Sequence, residues 1–269
     1  MPDADELFDL GQAARMEGRY ADAEAFLREG IALAEKEHGA GALEVAYLMN
    51  ELGVTFKYSG RFDEAFELYQ RALAIVDDPV DVAGLHHNLG GLEHARGDYA
   101  RAAVHARRSV EIRCGVLGEE HVDVAADRAA LAAILDALGE DDEAEALLRD
   151  AMAIFVRELG ADDLEVGITM SNLASLLHKR GEVRQAEPMY RRALAVRERA
   201  CGPDQPELAV TVHNLAKLCA ETGRAAEARA LYERAVALLE PAVEPDHPTL
   251  TACRDALAAV IVAPEPDMR

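Results

Sequence analysis

The stretch that decides the fold is residues 172–198, which read NLASLLHKRGEVRQAEPMYRRALAVRE. Apolar residues with helical spacing lead up to Gly181, and Ala186 follows that glycine by five residues. A glycine at such a point readily adopts the left-handed conformation in which many helices end. The stretch therefore predicts two helices joined by a short turn, with a small residue where the second helix meets the first.

The same template recurs along the chain, and this predicts a repeat protein. The turn glycines are Gly18, Gly60, Gly97, Gly139, Gly181 and Gly223, at intervals of 42, 37, 42, 42 and 42 residues. The alanines five residues later are Ala23, Ala65, Ala102, Ala144, Ala186 and Ala228. A second glycine series, 21 residues after the first, consists of Gly39, Gly118, Gly160 and Gly202. Repeat two lacks that second glycine and is five residues shorter, so we expect a tighter link to repeat three.

From this period we predict an all-α fold, a right-handed α-solenoid of six helix pairs that ends in a capping helix. Neither helix of a pair can bury its apolar face alone, so neighbouring pairs must share a core. The predicted repeats cover about 4–39, 44–78, 81–118, 123–160, 165–202 and 207–241, and the capping helix covers 248–262. We expect residues 1–262 to form a single domain and residues 263–269 to be a disordered tail.

Composition excludes several classes of protein. The 50 acidic and 28 basic side chains give a formal net charge of −22, which repels nucleic acid and anionic membranes. The longest apolar run, residues 256–263, falls far short of the roughly 20 residues that span a bilayer. The cysteines show no metal-site spacing; they are Cys114, Cys201, Cys219 and Cys253. We therefore expect a cytoplasmic, bacterial protein with free thiols, no metal and no cofactor, which binds neither nucleic acid nor membrane.

The repeats resemble the tetratricopeptide (TPR) family, and their 42-residue period resembles its kinesin-light-chain type. The likeness rests on the small residue of the first helix, the turn glycine, the alanine of the second helix, and links such as CGPDQPELA at residues 201–209. It covers the chain from about Glu6 to Val262 and implies a concave groove, lined by the first helices, in which peptides bind. The family's first-helix Trp is replaced by Leu7, Met49, His86, Arg128, Met170 and Val212.

The helical wheel of the first helix identifies candidate groove residues. We number the places along the first helix so that Met170 is at place four. Places four, seven, eight and eleven then form the core face, and places two, five, nine and twelve point the opposite way. Places six and thirteen flank this opposite face. The predicted peptide-binding residues are Asn50, Lys57, His87, Asn88, His94, Ser171, Asn172, Ser175, His178, His213, Asn214 and Lys217. Fixed charges at these places cancel, which predicts a neutral groove. Its asparagines can donate to and accept from an extended peptide backbone.

Three features of the predicted groove allow two interpretations each. Asparagine at place six either binds a peptide or bonds to the adjoining helix, because buried polar groups need partners. The alanines of repeat four either open a pocket for a bulky ligand side chain or reflect tolerance of small residues; they are Ala129, Ala130, Ala133 and Ala137. The groove histidines make either a pH-responsive surface or ordinary polar surface. His87 and His94 lie about 10.5 Å apart by helical rise, too far to chelate one metal together.

These observations predict a protein–protein interaction module or scaffold that binds a peptide or a partner-protein segment in the concave groove. The alternative is a regulatory protein that senses a ligand or peptide and acts through a separate effector. A third option is an enzyme on a solenoid scaffold. The chain contains no GxxxxGK[ST], HExxH or GxSxG motif, so we predict no catalytic residues. Self-association through the irregular repeat four is a further possibility.

Overall fold

The computed structural model describes residues 2–243, 245 and 247–262. Over these residues the chain forms thirteen α-helices and one short 3-10 helix, with no β-strand. The predicted all-α repeat fold is therefore confirmed, while the predicted tail, residues 263–269, lies outside the described residues. The helices divide into two compact units, one ending at Glu140 and one beginning at Asp141. A single domain over residues 1–262 stays a prediction.

The N-terminal unit contains three helix pairs and one further helix. Its helices are α1 (Ala4–Met16), α2 (Tyr20–His38), α3 (Leu43–Tyr58), α4 (Phe62–Leu73), α5 (Pro79–Ala95), α6 (Tyr99–Leu117) and α7 (Val122–Leu138). Each helix packs against the next along the chain, and the first helices α1, α3, α5 and α7 also contact one another in sequence. This is the packing by which neighbouring repeats share one apolar core.

The C-terminal unit continues the alternation. Its helices are α8 (Asp141–Glu158), α9 (Leu164–Lys179), α10 (Val183–Cys201), α11 (Ala209–Glu221), α12 (Ala225–Leu239) and α13 (Pro248–Val262). A 3-10 turn, Pro206–Leu208, leads directly into α11. The last helix, α13, lies against both α12 and α11, so it covers the end of the sixth pair.

The glycine period has a direct backbone explanation. Gly181 ends the turn after α9 with φ 79°, and its N–H donates to the His178 carbonyl at 2.9 Å. The N–H of Glu182 then donates to the Leu177 carbonyl at 2.8 Å, so two helix-end carbonyls gain partners. Every glycine of the two predicted series has positive φ: Gly18, Gly39, Gly60, Gly97, Gly118, Gly139, Gly160, Gly181, Gly202 and Gly223.

The core face of the first helix is wider than the wheel predicted. Repeat five buries the four residues expected there, which are Met170, Leu173, Ala174 and Leu177. Place three, assigned to neither core nor groove, is also buried in five repeats, as Leu48, Leu85, Asp127, Thr169 and Thr211. A helix with neighbours on two sides buries more than one stripe, which accounts for the difference. Three of these five residues are polar, and one of the three, Asp127, is charged.

The residue nine positions after each turn glycine fills the space behind the first helix. We call it the +9 position; its residues are Leu27, Tyr69, Ala106, Leu148, Tyr190 and Tyr232. In repeat two, a Cβ at Gly53 would lie 2.6 Å from the Tyr69 ring, so glycine there makes room for the tyrosine. Ala106 of repeat three is the small residue in this series.

Candidate functional site

The predicted groove residues of the N-terminal unit lie at the surface of the first helices. Asn50, Lys57, His87 and Asn88 are half-buried, and His94 is exposed. Asn88 Nδ2 donates to Asn50 Oδ1 at 2.8 Å, which links α5 to α3. Asn88, at place six, therefore bonds to the adjoining helix, which was one of the two interpretations of asparagine at this place. Each of the two amides still has hydrogen-bonding capacity left for a ligand.

One predicted groove residue of the C-terminal unit needs correction. Ser171 is buried, and its hydroxyl lies 2.9 Å from the Thr211 hydroxyl, because place five of α9 faces α11 there. The remaining predictions are half-buried or exposed, namely Asn172, Ser175, His178, His213, Asn214 and Lys217. His178 Nε2 lies 2.7 Å from a carboxylate oxygen of Glu221. Two of the seven residues predicted in this unit are thus engaged in contacts between its own first helices.

A pocket of about 210 Å³ opens in the N-terminal unit between α5, α6 and α7. We call it the Ala106 pocket; it is lined by His87, Gly91, His94, Ala106, Ser109, Asp127, Ala130, Ala133 and Ile134. Two of the repeat-four alanines, Ala130 and Ala133, thus form part of a cavity wall. The two histidines were predicted groove residues, whereas Ser109 and Asp127 were not predicted.

Asp127 organises the polar part of the Ala106 pocket. Its side chain is 1% exposed, and its Oδ1 accepts hydrogen bonds from His87 Nδ1 at 2.7 Å and from Arg113 Nη1 at 2.9 Å. Its Oδ2 lies 2.7 Å from Ser109 Oγ, which also lies 2.8 Å from the Ala83 carbonyl. The guanidinium compensates the buried carboxylate, which would otherwise be costly to desolvate. Because the carboxylate accepts from Nδ1, it also fixes the orientation of the His87 ring.

The pocket opens beside the +9 position of repeat three, which carries alanine. In repeat five the Tyr190 ring occupies this place and meets the His178 ring edge-on, with the centroids 6.2 Å apart. His94 of repeat three matches His178 in the repeat, but Ala106 replaces the tyrosine and leaves the space open. Comparing the +9 residues along the sequence would have revealed this position.

A second pocket, of about 200 Å³, lies on the other side of α5, towards α3. We call it the Asn50–Asn88 pocket; it is lined by Ala46, Tyr47, Asn50, Val76, Val80, Asp81, Gly84, Leu85, Asn88 and Arg113. The Tyr47 hydroxyl donates to Asp81 at 2.8 Å at its edge. Arg113 lines this pocket and binds Asp127 of the Ala106 pocket, so one ion pair connects the two.

Lys57, a residue of α3, is a half-buried cation whose Nζ lies beside α5. A Cβ at Gly91 would lie 3.5 Å from its Nζ, and the Nζ lies 5.0 Å from the centroid of the Tyr58 ring. Burial, with Arg15 adding to it, lowers the pKa of Lys57. Arg15 itself pairs with Glu51, so within the described residues Lys57 has no carboxylate partner. The predicted cancellation of groove charges therefore fails locally and leaves one positive charge near Gly91.

The C-terminal unit brings a cysteine and a histidine together. Cys253 Sγ lies 3.3 Å from His213 Nδ1, and the thiol is fully buried. Burial raises the pKa of Cys253 and, with Lys217 adding to it, lowers the pKa of His213. Both shifts favour the neutral thiol and the neutral imidazole, whereas a cysteine nucleophile needs the thiolate. The pair therefore has the character of a packed core contact.

Neither a metal site nor a membrane-spanning helix occurs among the described residues. No three histidine, cysteine, aspartate or glutamate side chains among them come close enough to hold a metal ion. None of the described helices combines the length and apolar character that crossing a membrane requires.

The chain belongs to the tetratricopeptide repeat family. The family model matches residues 4–78, 81–156 and 165–240, which together cover most of the chain. The matched segments begin and end within a few residues of the predicted repeats, so the resemblance proposed from the glycine period is confirmed. The family and its fold are those of protein-interaction scaffolds. A comparison with curated proteins gave no match.

Solved structures similar to this chain include BtubC (BKLC) and a protein described as a kinesin light chain. BtubC (BKLC) from P. vanneervenii is 26% identical with a TM-score of 0.67, over 86% of this chain and 94% of that one. A Podosopora anserina protein described as a kinesin light chain with nearly identical TPR-like repeats is 24% identical with a TM-score of 0.58. That match covers 75% of this chain and 96% of the other, and at 24% identity it shows a shared fold and nothing more.

Proposed function

We propose that the chain is an interaction scaffold that binds an extended segment of a partner protein across α3, α5 and α7 of the N-terminal unit. The observation that carries this proposal is the pair of pockets that flank α5, one towards α3 and one towards α7. A segment that crosses α5 can place one side chain in each pocket. Pockets of this size take single side chains, because sites for drug-sized ligands are about 300–1,000 Å³.

The glycines of α5 support this path. Gly84 lines one pocket and Gly91 the other. A Cβ at Gly84 would lie 3.7 Å from Arg113 Nη2, and one at Gly91 would lie 3.5 Å from Lys57 Nζ, both ordinary contacts. Packing therefore does not require glycine, although each glycine costs a helix about 0.5–1 kcal/mol relative to alanine. Access of a ligand backbone to α5 accounts for their presence.

The amide groups of the Asn50–Asn88 pocket can hydrogen-bond to a peptide backbone. After their mutual bond, Asn88 Oδ1 and the Asn50 amide nitrogen make no other hydrogen bond among the described residues. One can accept from a peptide N–H and the other can donate to a peptide carbonyl. Lys57 adds a positive charge in a protein of net charge −22, so it favours a partner segment with an acidic residue near Gly91.

A selection experiment tests the proposal. A random peptide library displayed on phage is selected against the full chain, and the enriched peptides are measured by isothermal titration calorimetry. We expect Asn88→Ala to weaken binding of the enriched peptides by about 2- to 10-fold, since each lost hydrogen bond is worth about 0.5–1.5 kcal/mol. Asn172→Ala, a change at the same place of repeat five, is the matched control. Enrichment of no peptide, or equal affinity for Asn88→Ala and wild type, would contradict the proposal.

A further inference from the structure

We propose that the Ala106 pocket receives a tyrosine side chain of the partner segment, and that Ala106 is the residue that selects it. This inference rests on the proposed function and names the chemistry of the partner at one of its contacts. It follows from an internal comparison of the repeats, from the polar floor of the pocket, and from the charges around it.

The first argument is that the chain fills the equivalent space with its own tyrosines. The +9 positions of repeats two, five and six carry Tyr69, Tyr190 and Tyr232, and all three rings are buried. Repeat three has alanine at this position, and the Ala106 pocket opens beside it. A partner can therefore supply the ring that repeats two, five and six supply themselves.

The second argument concerns the residue opposite the +9 position. In repeat two, Gly53 makes room for the Tyr69 ring, since a Cβ there would lie 2.6 Å from a ring carbon. Repeat three has the same glycine, Gly90, opposite Ala106. A Cβ at Gly90 would lie 3.3 Å from the Ala106 backbone nitrogen, so α5 and α6 also pack closely at this point. Two small residues face each other here, and the pocket of about 210 Å³ remains.

The third argument is that the polar floor suits a phenol hydroxyl. A carboxylate offers about four acceptor sites, and Asp127 receives His87 and Arg113 on one oxygen. Ser109 has a single hydroxyl hydrogen for two acceptors, Asp127 Oδ2 and the Ala83 carbonyl. Asp127 Oδ2 can therefore accept a further hydrogen bond from a donor inside the pocket. A tyrosine places an apolar ring against apolar walls and a donor at its tip.

Charge around the pocket distinguishes tyrosine from the basic side chains. Arg113 already neutralises Asp127, and Lys57 adds an unpaired positive charge near Gly91. A lysine or arginine of the partner would bring a third cation into this region, which like-charge repulsion disfavours. The neutral phenol of a tyrosine can donate a hydrogen bond to Asp127 without adding a positive charge to this region.

The variant that tests this inference copies the neighbouring repeats. Ala106→Tyr fills the pocket with the residue of repeats two, five and six, and Ala106→Leu fills it with that of repeats one and four. We expect both variants to remain folded by circular dichroism and to bind tyrosine-containing peptides, selected on the wild-type chain, at least about 30-fold more weakly, as for loss of a central anchor. Val104→Tyr is the control, because it adds the same side chain to α6 at a position that is 68% exposed.

Changes in the peptide give the complementary measurement. Tyrosine to alanine should cost at least about 30-fold, and tyrosine to phenylalanine about 10- to 150-fold, as for loss of a hydrogen bond to a charged group. Selected peptides without tyrosine, or undiminished binding to folded Ala106→Leu while Asn88→Ala weakens binding, would overturn this inference and leave the proposed function standing. If Asn88→Ala also has no effect, the proposed function fails as well.

Discussion

Repeats three and five share one backbone pattern but differ in the chemical character of several buried or half-buried positions. Each has a turn glycine followed five residues later by an alanine, and the two are separated by two periods of the repeat. At four of these positions repeat five has apolar residues or a tyrosine, whereas repeat three has ionisable or small residues. Each of the following pairs gives the residue of repeat three and then the matching residue of repeat five: His86 and Met170, Glu93 and Leu177, His105 and Met189, and Ala106 and Tyr190.

These differences indicate that repeat three is not optimised for stability. Glu93 is 1% exposed, its Oε1 lies 3.3 Å from Arg96, and its Oε2 has no hydrogen-bond partner. His86 and His105 lie with their Nδ1 atoms 3.0 Å apart where repeat five has methionines. Departures from local consistency are expected at functional sites. Repeat three is also where the pockets flank α5, so the weaker core and the proposed site coincide.

The largest expected effect comes from making repeat five resemble repeat three. Tyr190→Ala removes a fully buried ring, and large-to-small changes of this kind cost about 3–5 kcal/mol through lost burial and the cavity left behind. Urea denaturation followed by circular dichroism measures the loss. Val104→Ala, at an exposed position, should stay within about 0.5 kcal/mol of wild type. A loss below about 1 kcal/mol for Tyr190→Ala would show that the +9 tyrosine does not support the core.

The next effect concerns the buried ion pair of repeats three and four. Asp127→Ala leaves Arg113 half-buried without its carboxylate, and breaking a buried pair from one side costs about 3 kcal/mol. The matched change two periods later is Thr211→Ala, which removes a neutral partner of Arg197 and should cost about 1 kcal/mol. Equal losses in the urea midpoint for the two variants would contradict the role assigned to Asp127.

The smallest effect is a pH dependence that repeat five should lack. Burial lowers the pKa of His86, and the neighbouring His105 and Arg108 lower it further. Burial also lowers the pKa of His105, although the Glu93 carboxylate partly opposes this shift. Histidines in the unfolded chain titrate near about pH 6.5, so below that pH the unfolded state binds more protons than the folded state. Stability should therefore be complete above about pH 6.5 and fall as the pH falls further.

The matched variant replaces both histidines by methionine, the residue type of repeat five. Melting temperatures at several pH values between about 7 and 5 should fall more steeply for wild type than for this double variant, because the variant has removed the two groups that resist protonation. Parallel slopes would show that the histidine pair does not contribute to the pH dependence of stability.

The sequence predicts the fold well because the fold depends on local features. Glycines such as Gly181 mark helix ends through their own backbone conformation, and a small residue in each helix marks the contact within a pair. The candidate site was harder to predict because it depends on residues from different helices. Asp127 lies at a place that the wheel gave to neither face, and its partners Arg113 and Ser109 come from the preceding second helix. Ser171 was misplaced for the same reason, since its burial depends on α11.

The measurement that tests the account most directly is hydrogen–deuterium exchange of the full chain with and without a selected peptide. Exchange reports local protection of backbone amides, so it locates the bound segment without any substitution. Binding across α3, α5 and α7 predicts slower exchange in Leu43–Tyr58, Pro79–Ala95 and Val122–Leu138, with no change in Leu164–Lys179. Protection confined to Leu164–Lys179 and Ala209–Glu221 would contradict the claim that the surface of repeat three binds the partner.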